Sequence, residues 1–155
     1  MSAFVIAPPL PLRAGLLALS PLPASAEARA QVARFAPALV VSMTETAEMA
    51  SLGAADLPAW LAANGIAWHH FPVADFGVPA PDADWPALSQ RAQDCLASGR
   101  RVLLHCRGGI GRSGMVALKL MIEAGADPDQ ALQQLRAVRP GAVETPQQHA
   151  WARQP

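Results

Sequence analysis

One thiol, two guanidiniums and four glycines fall within a single stretch, VLLHCRGGIGRSG, residues 102–114. The apolar residues before it read as a strand and those from Ser113 onward as a helix, so the glycines occupy the turn between strand end and helix start. Backbone N–H groups in such a turn converge on a volume that suits a tetrahedral anion, without any metal. Gly108, Gly109 and Gly111 supply the positive φ values and close backbone approach that this nest of amides needs. The stretch lacks the Gly-Lys-Ser/Thr ending of a nucleotide-binding loop. Cys106 lies inside the turn, where the amides and Arg112 would stabilise a thiolate, the nucleophilic form of the side chain. Arg112 offers two parallel donors to phosphate oxygens, a planar fork that lysine lacks. The chemistry to expect is attack by Cys106 on an oxyanion that the loop itself binds.

The spacing Cys-x5-Arg-Ser, preceded by histidine, resembles the signature of the protein tyrosine phosphatase superfamily. The match covers His105, Cys106, Gly108, Gly111, Arg112, Ser113 and Gly114. FPVADFGVP is similar to the general-acid loop of the dual-specificity branch, and VRPGAVETPQQ to its distal glutamine segment. With LVVSMTETAEM these segments span most of the chain, and the likeness is to compact phosphatases related to the kinase-inhibitor-associated phosphatase. The resemblance implies a phosphocysteine formed on Cys106, with Arg112 and the loop Arg107, Gly108, Gly109, Ile110 and Gly111 around the phosphate. Ser113 would help the thiolate leave, and His105 would fix the loop from behind. Asp75 would protonate the leaving oxygen and later take a proton from water. Asp82 and Asp84 are its rivals in an acid-rich loop, although Asp84 is better explained as a helix cap. Glu144 stands where the larger tyrosine phosphatases have their water-positioning glutamine, which leaves Gln148 as the candidate for that role. No cofactor is implied.

The elements around the loop read as an α/β domain spanning 1–155, with a central, mostly parallel sheet flanked by helices. AFVIA and GLLALS are expected as early strands, ALVVSM and IAWHHF as later ones, and RRVLLH as a strand buried on both faces. A helix capped near Ser25 precedes ALVVSM. After that strand, Ser42 with Glu45 has capping-box spacing and Thr44 competes as the cap. Asp56 can cap LPAWLAAN, which stops at Asn64-Gly65. PVADFGVPAPDAD reads as an irregular loop. Asp84 caps a helix with Trp85, Leu88, Ala92, Cys95 and Leu96 on one face, so Cys95 is read as a core residue. SGMVALKLMIEAG carries only Lys119 and Glu123 as charges and is expected to be buried on most sides. Asp127 starts a further helix, and TPQQHAWARQP is a last short helix or a tail.

Composition narrows the function classes. The 155-residue chain has zero formal net charge, so there is no sign of a nucleic-acid-coating protein, and any anion site must be local. Two cysteines with no zinc spacing and no disulfide framework suggest a reducing, cytoplasmic setting. The apolar start lacks a basic n-region, and prolines at 8, 9, 11, 21 and 23 interrupt it, so no signal peptide is expected. No run reaches the roughly 18 apolar residues of a membrane span. His69 and His70 are adjacent on a strand, face opposite sides and make a poor metal site. The absence of tyrosine suggests a shallow pocket open to phosphotyrosine, phosphoserine and phosphothreonine of proteins and to small phosphate monoesters. A loop without lysine argues against phosphoinositide headgroups. The rival readings are a rhodanese-like sulfurtransferase, which needs no upstream acid, and a phosphoprotein-binding module with a dead site.

Overall fold

The computed structural model describes residues 4–155. In chain order its elements are β1 (Leu10–Leu12), β2 (Gly15–Ser20), α1 (Ala26–Phe35), β3 (Leu39–Ser42), α2 (Thr46–Ser51), α3 (Leu57–Ala63), β4 (Ala67–His70), α4 (Trp85–Ala97), β5 (Arg101–His105), α5 (Gly111–Glu123), α6 (Pro128–Val138) and α7 (Pro146–Arg153). The strands form one sheet in the order β1-β2-β5-β3-β4. β5 lies in the middle, parallel to both β2 and β3, as its unbroken apolar run requires.

Alternation along β5 separates two cores. Leu103, with Ala18 and Val40 of the neighbouring strands, packs against Val32, Leu57 and Leu61 of α1 and α3. Val102 and Leu104 face the other way, onto Leu88 and Leu96 of α4 and Met115 and Leu118 of α5. Every residue of α5 from Gly111 to Met121 is buried, Lys119 included. Lys119 Nζ reaches the carbonyls of Trp151 and Gln154, at 3.4 and 2.6 Å, and so fastens α7 to α5. The closing segment is thus a helix, started by Thr145. Among the described residues no helix is long and apolar enough to cross a membrane.

Three expectations need correction. Ala3 lies outside the described residues, and residues 4–7 form no strand; the Ala7 N–H makes a single bond to Leu19 O, at 2.9 Å. Pro8 and Pro9 have no N–H to extend that pairing, and Leu10–Leu12 becomes the antiparallel edge strand instead. The cap of α2 is Glu45, neither Ser42 nor Thr44, and the Glu48 carboxylate accepts the Glu45 N–H at 3.2 Å. Ser42 is unavailable as a cap because its hydroxyl is engaged by His105 and Trp68. Asp56 does precede α3, but its carboxylate pairs with Arg29 through two bonds of 2.8 Å and leaves the helix amides alone. The caps at Ser25, Asp84 and Asp127 each accept a backbone N–H as expected.

Candidate active site

The carboxyl end of β5 delivers Cys106, 3% exposed, into the turn that opens α5. Of the three glycines expected to take positive φ, only Gly109 does so (φ 72°), and a Cβ there would lie 2.5 Å from the Ser20 backbone. Gly111 is the first residue of α5, where a Cβ would meet the Glu144 carboxylate. Arg139 fixes the loop from outside: Nε donates to Gly109 O at 3.0 Å and one Nη to Gly108 O at 2.8 Å. In a planar trans peptide the N–H opposes the C=O. Holding these two carbonyls therefore turns the amides of Gly109 and Ile110 to the opposite side. Arg139 was not identified from sequence, where it reads only as the end of α6.

His105 anchors the strand end through a chain of hydrogen bonds. Trp68 Nε1 donates to Ser42 Oγ at 2.8 Å, Ser42 Oγ meets His105 Nε2, and His105 Nδ1 lies 3.2 Å from Cys106 O. One tautomer satisfies all three contacts: the Ser42 hydroxyl donates to Nε2 and the Nδ1–H donates to the Cys106 carbonyl. Complete burial lowers the His105 pKa from its ordinary 6.5 to about 4, and the bond to Cys106 opposes that shift only in part. The unfolded chain therefore takes up a proton near pH 6.5, whereas the folded protein does so only near 4. Stability is expected to fall across that window as the pH drops, by up to about 3 kcal/mol from this residue. Urea unfolding at several pH values measures the loss, and His105 ring signals in NMR should stay those of neutral imidazole at pH 5.

Arg112 is 1% exposed and its guanidinium lies between two carboxylates, those of Glu48 and Asp75. Its two Nη atoms form a fork with Glu48, at 2.8 and 2.7 Å, and Nη1 also donates to Val73 O at 2.9 Å. Asp75 Oδ1 lies 3.3 Å from Nη2. Burial alone would lower the guanidinium pKa, but the bonds it donates to Glu48 and the charges of Cys106, Glu48 and Asp75 raise it on balance. The Arg112 bond in turn holds the Glu48 carboxyl below the usual range. Removing Glu48 would leave a buried guanidinium half paired. Glu48→Ala is expected to destabilise the fold by about 2–4 kcal/mol, measurable by urea denaturation. Arg112 Nε and Ser113 Oγ are buried with no hydrogen-bond partner among the described residues. Such orphaned donors are rare in native proteins and mark a place where a polar ligand can sit.

The pocket over the thiol measures about 260 Å³ and is lined by Asp75, Phe76, Cys106, Arg107, Gly108, Ile110, Gly111 and Glu144. Asp75 thus reaches the thiol's pocket, 43% exposed. Its rivals do not: Asp84 caps α4 through Ala87 N, and Asp82 borders a separate cavity with His69 and His70. Phe76, with φ 60° and 61% exposed, presents an aromatic ring at the mouth. Arg107 is exposed at the rim. Ser113 Oγ makes no bond to the Cys106 sulfur here, so the expected contact is not formed. Gln148 is buried away from the pocket lining, with its amide engaged by backbone groups. Cys95 belongs to the core. His69 meets Arg91, and His70 meets the Thr44 carbonyl.

A parallel sheet whose middle strand ends in a Cys-x5-Arg loop, leading into a buried helix, is the architecture of the protein tyrosine phosphatases. The match to a structure of kinase associated phosphatase (KAP), whose catalytic-site cysteine is replaced by serine, has a TM-score of 0.86 and 24% identity, covering 99% of this chain and 94% of that one. The active form of Tk-PTP matches with a TM-score of 0.70 and 32% identity over 87% of each chain. Residues 38–132 match the model of the family Cyclin-dependent kinase inhibitor 3 (CDKN3), and the chain belongs to that family. Cyclin-dependent kinase inhibitor 3 of Rattus norvegicus is 41% identical over 88 residues, 55% of this chain and 41% of the relative. Protein tyrosine phosphatase type IVA 3 of Homo sapiens is 36% identical over 76 residues, 47% of this chain and 43% of that one. The chain aligns with less than half the length of these curated relatives.

Proposed function

We propose that the protein hydrolyses phosphate monoesters, of phosphotyrosine and of phosphoserine or phosphothreonine in proteins, through a phosphocysteine. The pocket shared by Cys106 and Asp75, with Arg112 beside it 3.3 Å from the Asp75 carboxylate, supports this reading more than any other observation. Cys106 Sγ attacks phosphorus as the P–O ester bond breaks, and Asp75 gives its proton to the departing oxygen. Water then attacks phosphorus, the P–S bond breaks, and Asp75 takes the proton back. Arg112 Nε, the loop amides turned inward by Arg139 and the Ser113 hydroxyl are the donors on hand as charge moves from oxygen to phosphoryl group to sulfur.

Phe76 supplies an aromatic face at the mouth, which offsets the lack of tyrosine and suits aryl phosphates. Glu144 on the rim disfavours polyanionic headgroups by like-charge repulsion. The names of a cyclin-dependent kinase inhibitor among the relatives and of a kinase associated phosphatase among the similar structures support a phosphorylated protein as the substrate class. The test is release of phosphate from p-nitrophenyl phosphate by the purified protein in metal-free buffer, with thiocyanate formation from thiosulfate as the parallel assay. Phosphate release without thiocyanate supports the phosphatase. Thiocyanate alone supports a sulfurtransferase, and phosphopeptide binding without turnover supports a binding module.

A further inference from the structure

Gln148 is the water-positioning candidate by sequence, yet its side chain holds protein on both sides. It is 0% exposed. Its Oε1 accepts the N–H groups of Glu144 and Thr145, at 2.9 and 3.3 Å, and its Nε2 donates to Gly77 O at 3.1 Å. Both acceptor positions and one of its two amide hydrogens are thereby in use. Gly77 closes a tight turn, its N–H bonded to Ala74 O at 2.8 Å, with Asp75 and Phe76 at the two central positions. Phe76 there takes a left-handed φ of 60°, which an aromatic residue adopts only when its surroundings hold it. On its other side the turn is tied through Val73, whose N–H bonds Met43 O at 3.0 Å and whose O accepts from Arg112 at 2.9 Å, and through the 3.3 Å contact of Asp75 with Arg112; Gln148 is the tie at its Gly77 end. Gln148 sits on α7, which Lys119 fastens to α5 and hence to the helix that carries Arg112.

We infer that Gln148 is a positioning residue for the general acid: its Nε2–H bond to the Gly77 carbonyl holds the Asp75 turn over Cys106. The same amide accepts the Glu144 N–H and so ties the turn of Asp75 and Phe76 to the segment of Glu144, all three of which line the pocket. The inference rests on the phosphatase reading above.

Gln148→Glu separates this role from helix capping. The new carboxylate still accepts the Glu144 and Thr145 amides but has no hydrogen to give Gly77. At pH 7.5, turnover of phenyl phosphate, whose leaving group needs a proton, is expected to fall about 10-fold, and that of p-nitrophenyl phosphate less than about 3-fold. As the pH falls towards 5 the carboxyl of the variant gains a proton and donates again, so its activity relative to the unmutated protein should recover. Combined with Asp75→Asn, the substitution should add little further loss, because both act on one proton transfer. Equal losses on the two substrates, or a slowed breakdown of the phosphoenzyme alone, would overturn the inference, the latter in favour of water positioning. A second measurement needs no variant. The Gly77 amide of the unmutated protein should exchange with deuterium as slowly as the Glu144 amide, and exchange as fast as an open loop would refute the clamp. Lack of turnover by the unmutated protein removes the functional reading together with this one, whereas normal turnover with an unaffected Gln148→Glu removes the clamp only.

Discussion

Cys106→Ser is expected to lower turnover of p-nitrophenyl phosphate by at least about 10³-fold while leaving vanadate or phosphate affinity within about 3-fold. The two halves of that result have different physical origins. A serine hydroxyl at this position is almost wholly protonated at neutral pH and is a far weaker nucleophile than a thiolate, so the first step fails. Binding depends on groups that do not involve the sulfur. The amides of the loop are oriented by Arg139 through Gly108 O and Gly109 O, and Arg112 is held by Glu48 and Val73. Replacing the sulfur removes none of these donors. Phosphate release by the variant, followed with calorimetry of vanadate binding on the same sample, checks both. Retained turnover would sink the phosphocysteine, and lost binding would show that the sulfur helps shape the nest.

The loop was legible because its chemistry is local. Strand, glycines, thiol and guanidinium fall within thirteen consecutive residues, so the spacing puts the thiol in the turn that opens the helix, although the Ser113 contact to the sulfur that the resemblance implies is not formed. The parallel sheet was equally legible, since a run buried on both faces, such as Val102–Leu104, can lie only inside a sheet covered by helices. What escaped were groups that matter because of partners far along the chain. Glu48 drew no reading from the sequence, yet its carboxylate bonds the Glu45 N–H and grips Arg112, 64 residues away. Ser42 looked like the cap of α2, but β3 lies beside β5 with Ser42 opposite His105, and that pairing takes its hydroxyl. Gln148 was assigned by its place in a segment, whereas its bond to Gly77 depends on how α7 docks on α5, which no spacing encodes. The early strand failed for a local reason that was available: two prolines follow it directly, and neither can pair.

Asp75→Asn is expected to slow phenyl phosphate by about 10²–10³-fold and p-nitrophenyl phosphate by less than about 10-fold. Asparagine keeps the size of the side chain and its acceptor for the Phe76 N–H, a 3.0 Å bond, so the turn is preserved. The transferable proton is lost, together with the charge that faces Arg112 at 3.3 Å, where the amide oxygen can still accept. A poor leaving group departs as a high-energy alkoxide or phenoxide unless it is protonated, while p-nitrophenolate departs unaided, so the loss must grow with the basicity of the leaving group. Plotting log kcat against leaving-group pKa for a series of aryl phosphates should give a steep negative slope for the variant and a nearly flat line for the unmutated protein. Asp82→Asn is the control: Asp82 borders the His69 cavity and not the Cys106 pocket, and its slope should stay flat. If Asp82→Asn steepens the line and Asp75→Asn does not, the acid has been assigned to the wrong end of the loop. If neither does, water supplies the proton, and the 3.3 Å contact of Asp75 with Arg112 serves only to hold the loop.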